Sequence, residues 1–132
     1  MLSVNRIETI KKEVEQAAEE HLNALDSETA LSHFTDDVLA VSNTDVFSSR
    51  EELSIDVNRY YDSLKSVNYA NWEDIHIKVL SESAATFTAK FRCGFTTSEN
   101  IEVNLRGVWT ALFIHAEGDW KIQLRHESFD AT

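Results

Sequence analysis

The stretch Asn104 to Phe129 reads NLRGVWTALFIHAEGDWKIQLRHESF, and its reading decides the fold. Two runs of strand-forming residues flank Ala116-Glu117-Gly118-Asp119, the clearest turn signal in the chain, so the stretch reads as a long β-hairpin. Side chains on a strand alternate with period two. On the second strand Trp120, Ile122, Leu124, His126 and Ser128 therefore share one face, and Lys121, Gln123, Arg125 and Glu127 share the other. The apolar face ends in a histidine and a serine, which makes that polar end a candidate site.

Face parity extends the hairpin into a sheet, because a slip of one residue turns a strand inside out. A loop at Glu117-Gly118 sets Ile122 against Phe113, Leu124 against Ala111, His126 against Trp109 and Ser128 against Gly107. A loop at Ser98-Glu99-Asn100, with Asn100 in a left-handed conformation, sets Phe91 against Gly107, Ala89 against Trp109, Phe87 against Ala111 and Ala85 against Phe113. Large residues meet small ones in each of these last rows, as a packed face requires. Carried through a loop at Ser81-Glu82-Ser83, the same register places Ile75 beside Ala89 and Glu73 beside Phe91. Glu73 then joins His126 and Ser128 on the inner face, unless a bulge near Trp72 turns it outward. The outer face carries Val108, Leu112 and Ile114 among Lys90, Arg92, Arg106, Gln123 and Arg125, a mixture that suits a two-fold homodimer interface.

The first half of the chain is helical. Ile7, Ile10, Val14, Ala17, Ala18 and Leu25 form a stripe at spacings of three and four, predicting a helix from Asn5 to Leu25. His21 lies within that stripe and is expected to be buried, either satisfied in the core or lining a pocket. A shorter helix, capped by Asp26 or Ser27, runs through Phe34. Val38 to Val41 reads as a strand, Asn43-Thr44-Asp45 as a turn, and Val46-Phe47 as a second short strand. Ser49-Arg50-Glu51-Glu52 has capping-box spacing and opens a helix to about Lys65, whose stripe includes Tyr60 and Tyr61.

Composition excludes several classes. A chain of 132 residues with 42% apolar and 10% aromatic content is one globular domain over residues 1–132, long enough for a core without staples. No apolar run approaches the roughly 18 residues of a membrane span, and the start MLSVNRIETIKKEVEQ lacks a secretory apolar region. A lone cysteine, Cys93, excludes an internal disulfide, and a cytoplasmic location is expected. The net charge of −11 is concentrated in residues 1–56, which hold 13 acids against 4 bases. That balance argues against nucleic-acid and anionic-membrane partners. His33 with Asp36 and Asp37 lacks a third ligand at a recognisable spacing, so no metal is expected. Cys93, between Phe91 and Phe95, reads as packing, with no base placed to activate it.

The order helix, helix, short strand, helix and four long antiparallel strands resembles the nuclear transport factor 2-like superfamily, and within it the SnoaL-like domains. The resemblance sharpens at Gly107-Val108-Trp109-Thr110, at Gly118-Asp119-Trp120-Lys121-Ile122 followed by His126-Glu127-Ser128, and at Asp36-Asp37-Val38. It implies an α+β cone, three N-terminal helices on a curved, mainly antiparallel sheet in the cystatin-like manner, with a pocket at one end. It does not imply one activity, because the superfamily holds isomerases, dehydratases, cyclases, epoxide hydrolases, adaptors and oligomerising domains. The Asp-Arg-Asp arrangement of its epoxide hydrolases has no counterpart here, since Arg92 and Arg106 fall on the outer face.

Two functions follow as expectations. The first is a domain that binds a small apolar molecule in the pocket, pairs with itself, or does both. The second is a cofactor-free isomerase, dehydratase or cyclase acting on a small carbonyl or polyketide-like compound. In it His126 is general acid/base, Glu73 a second acid/base or the group orienting it, and His21, Tyr60, Trp109 and Ser128 bind the substrate. A third expectation, an acidic surface on the first helix, predicts salt-sensitive binding of a basic partner.

Overall fold

The computed structural model describes residues 2–132 of the chain. Helix α1 spans Val4–Leu22, α2 Ser27–Ser32 and α3 Arg50–Asp62. The strands are β1 Phe34–Ser42, β2 Asp45–Phe47, β3 Leu64–Ser81, β4 Ala84–Thr97, β5 Glu102–Ala116 and β6 Asp119–Ala131. They form one sheet in the order β2-β1-β6-β5-β4-β3. Every pairing is antiparallel except β1 with β6.

Each helix starts where a side-chain oxygen meets an orphan amide. Ser3 accepts from the Arg6 N–H, Asp26 from Thr29 and Ser49 from Glu52. The Thr29 bonds hold the Asp26 carboxyl below its usual range. Helix α1 lays Ile10, Val14 and Ala18 onto the concave face of the sheet, where they meet Phe34, Phe87, Phe113 and Ile122. All three predicted helix ends run long, α1 stopping at Leu22, α2 at Ser32 and α3 at Asp62. The predicted strand Val38–Val41 is the middle of a longer one that begins at Phe34, so Phe34, Asp36 and Asp37 belong to β1.

The β4–β5 ladder has the predicted register: Ala85 with Phe113, Phe87 with Ala111, Ala89 with Trp109 and Phe91 with Gly107. Asn100 takes the left-handed conformation its turn requires, with φ 64°. Two bulges then reverse predicted faces. On β6, Phe113 pairs with Ile122 but Leu112 pairs with Leu124, which leaves Gln123 as an extra residue. Beyond it Arg125, Glu127 and Phe129 face inward, and His126 and Ser128 face outward. On β3 the pairing jumps from Glu73–Lys90 to His76–Thr88, with Asp74 at φ 52°. Trp72 and Ile77 thereby both reach the core side, while Glu73 and Ile75 are exposed. No helix among the described residues is long and apolar enough to cross a membrane.

Candidate functional site

Between the helices and the concave sheet lies a cavity of about 270 Å³. Its apolar wall is aromatic: Trp72 from β3, Phe91 and Phe95 from β4, Trp109 from β5 and Phe129 from β6. Trp109 and Trp72 pack with ring centroids 5.1 Å apart, and Tyr60 of α3 packs edge-on against Phe95 at 5.4 Å. The Tyr60 hydroxyl stays protonated, because burial raises its pKa and Cys93 beside it adds to the effect. Tyr61 is committed elsewhere, its hydroxyl donating to the Ala24 carbonyl at 2.9 Å.

Polar groups converge on this apolar space from β6, β1 and α1. Arg125 is only 6% exposed, its guanidinium 5.9 Å from the Phe34 ring centroid. Its Nε lies 3.6 Å from Glu127 Oε1, and Ser42 Oγ donates to Glu127 Oε2 at 2.8 Å. Nε and Nη2 of Arg125 are buried with no hydrogen-bond acceptor among the described residues. A buried charge is normally paired and its donors met; Glu127 is the charge partner beside Nε, and Nη2 is left without an acceptor on a residue that lines the cavity.

His21, in the last turn of α1, also lines the cavity, against Phe34 and Trp109. Its Nδ1 lies 2.9 Å from Nδ1 of His33, the residue joining α2 to β1. Burial, then the neighbouring His33 and Arg125, push the His21 pKa down from 6.5 to about 3, so its ring is neutral at ordinary pH. Burial also lowers His33, and Glu20 opposes that shift. Cys93 lines the cavity as well, and burial followed by Glu127 raises its thiol pKa, which leaves it a poor nucleophile.

Of the residues expected from the sequence, His21, Tyr60 and Trp109 line the cavity together. His126, Ser128 and Glu73 do not. His126 is exposed opposite Thr110. Ser128 and Glu73 border a depression on the outer sheet face beside Arg92 and Arg106, and Glu73 pairs with Arg92 at 3.4 Å. The physical reason is the extra residue in each bulged strand. Arg125, expected on the outer face, is in the pocket instead, and Glu127 and Ser42 join it, while His33 sits behind His21 in a separate outer groove. One signal for this was present in the sequence: Ile122 and Phe129 are both apolar but seven residues apart, an odd spacing that no regular strand can bury on one face.

Comparison with known proteins agrees with this architecture. Residues 12–132 match the model of the SnoaL-like domain family. No curated protein sequence matches the chain. A protein provisionally named scytalone dehydratase from Novosphingobium aromaticivorans superposes with a TM-score of 0.86 at 15% identity, covering 98% of this chain and 89% of its own. The hexachlorocyclohexane dehydrochlorinase LinA-type3 from Novosphingobium barchaimii LL02 superposes with a TM-score of 0.78 at 14% identity, covering 98% and 93%. A protein provisionally named a calcium/calmodulin dependent protein kinase II association domain, from Xanthomonas campestris, gives 0.74 at 11%, covering 91% and 84%. At these identities the likeness is one of fold, and the same cone carries both enzyme and association names.

Proposed function

Since this chain belongs to the SnoaL-like domain family, we propose that its cavity binds a small, mainly apolar molecule by a carbonyl oxygen. The observation that carries this reading is the pair of unmet donors on buried Arg125. Arg125 is charge-balanced by Glu127 beside its Nε and His21 is neutral, so the remaining guanidinium donor capacity suits a neutral oxygen better than a second carboxylate. An unmet buried donor costs about 1–3 kcal/mol, which a ligand oxygen recovers on binding. The cavity lies just under the roughly 300 Å³ where drug-sized pockets begin, and its aromatic walls favour a flat ring of one or two cycles.

The test compares β-tetralone, a bicyclic ketone, with tetralin, the same skeleton without the oxygen. Trp72 and Trp109 at the cavity make tryptophan fluorescence the readout. The ketone is expected to bind about tenfold more tightly than the hydrocarbon, the low end for a hydrogen bond to a charged donor, and Arg125→Met removes the difference. Failure of both probes to bind, or a preference that survives in Arg125→Met, overturns the reading.

A second reading, a cofactor-free lyase or isomerase, is favoured by two bases, His21 and Glu127, that line the same cavity as the Arg125 donors. Arg125 then holds the oxygen on which charge develops as a base removes a neighbouring proton. The resemblance in fold to proteins named as a dehydratase and a dehydrochlorinase is compatible with such chemistry. We also propose self-association through the outer sheet face, where Leu39, Leu124 and Leu112 form one row across three strands beside Val108. Leu39 is 41%, Leu124 38% and Val108 43% exposed, an apolar patch on a face that also carries Lys90, Arg92 and Arg106.

A further inference from the structure

The His21–His33 contact joins two spaces that are otherwise separated by protein. His21 lines the cavity, while His33 lines a groove on the outside of the molecule with Glu20, Lys121, His115 and Asp119. Their Nδ1 atoms are 2.9 Å apart, so one ring supplies a proton and the other a lone pair. With both Nδ1 atoms committed, each ring keeps its Nε2 for the space it lines. From this geometry we infer that His21 and His33 form a proton relay carrying protons between the ligand cavity and the outer groove.

The relay rests on the proposed ligand-binding reading of the cavity and gives it a chemical use. In the starting tautomer His21 donates its Nδ1–H to Nδ1 of His33 and presents the Nε2 lone pair to the ligand. A ligand C–H bond breaks, and its proton goes to His21 Nε2. The Nδ1–H of His21 passes to His33 Nδ1, and the Nε2–H of His33 leaves to the groove. Both rings end neutral in the opposite tautomer, and the proton has reached solvent. The electron pair left on the ligand moves to an electronegative atom held by Arg125. The strongly depressed basicity of His21 shows why a partner is needed: an imidazolium held there is disfavoured by burial, by charge on His33 and by Arg125. His33 is the better exit for the proton, being half-buried and near Glu20, with Lys121 opposing charge there less than Glu20 favours it.

Nitrobenzisoxazole is a suitable probe, being flat, bicyclic and neutral. Removal of its ring C–H proton sends that electron pair into a nitrile as the N–O bond breaks, and the oxygen leaves as a coloured phenolate that Arg125 can stabilise. The wild-type chain is expected to open the ring with saturable kinetics. In His33→Gln, whose side-chain oxygen keeps a hydrogen-bond acceptor for the His21 Nδ1–H but cannot pass a proton, turnover falls about a hundredfold, the low end for general acid–base groups. Binding of β-tetralone is unchanged in that variant, which separates relay from folding. His33→Ala loses turnover likewise, and added imidazole restores it through the open groove. If β-tetralone binds but the wild type shows no ring opening, or His33→Gln turns over normally, the relay is overturned while the pocket reading stands. If β-tetralone does not bind at all, the pocket reading fails and the relay falls with it.

Discussion

A histidine with its pKa near 3 is a residue whose neutral form is built into the native state. The unfolded chain binds a proton at His21 below about pH 6.5, the native chain only near 3, so between those values the unfolded state holds more protons and stability falls as pH falls. Urea midpoints measured at about pH 7 and about pH 5 are expected to drop more in the wild type than in His21→Gln. Equal drops would contradict the assigned burial. Arg125 and Glu127 give a second residue-scale prediction. A buried ion pair is often neutral or unfavourable to stability relative to apolar residues of similar size. The double variant Arg125→Met with Glu127→Leu is therefore expected to melt at or above the wild type while losing its preference for a ketone. A clearly lower melting temperature would mean the pair holds the fold together instead of serving the cavity.

At the scale of elements, the sheet shows what was legible in the sequence and what was not. The β4–β5 ladder was readable because four large-with-small rows agree on one register. The ends of β3 and β6 were not, since alternation alone assumes that strands are regular. One extra residue at Gln123 exchanges the His126 face for the Arg125 face, and the irregularity at Asp74 does the same to Glu73. The clues were odd spacings between apolar residues, Ile122 to Phe129 and Trp72 to Ile77, each of which demands a bulge if both are to be buried. His33 was hidden for a different reason: its partner lies on another element, and only packing brings α1 against the start of β1. Gly107 anchors the shifted end of β6. A Cβ there would lie 2.1 Å from the Ser128 carbonyl oxygen and 2.8 Å from Phe129 Cβ. Backbone is in the way, so Gly107→Ala is expected to destabilise by about 1–3 kcal/mol in urea unfolding, the cost of overpacking. An unchanged midpoint would show that the strand pairs differently at this end.

At the scale of the whole molecule, the helices shield one face of the sheet and leave the other to solvent. The uncovered face has a leucine row across β1, β6 and β5 bordered by Lys90, Arg92 and Arg106, and the net charge of −11 sits mostly in the helical half. Two copies pairing by this face would bury the row and keep their acidic helices apart. Leu124→Glu puts like charges at the centre of such an interface, so sedimentation is expected to find a dimer in the wild type and a monomer in the variant. A wild-type monomer at all concentrations would remove that surface from the account. On the proposed function, the working end of β6 is the inward Arg125 and not the outward His126. Titrating β-tetralone into Arg125→Met and His126→Ala side by side tests it most directly. The Arg125 variant is predicted to lose the roughly tenfold preference for β-tetralone over tetralin, with His126→Ala indistinguishable from wild type. Loss of that preference in His126→Ala with its retention in Arg125→Met would contradict the account.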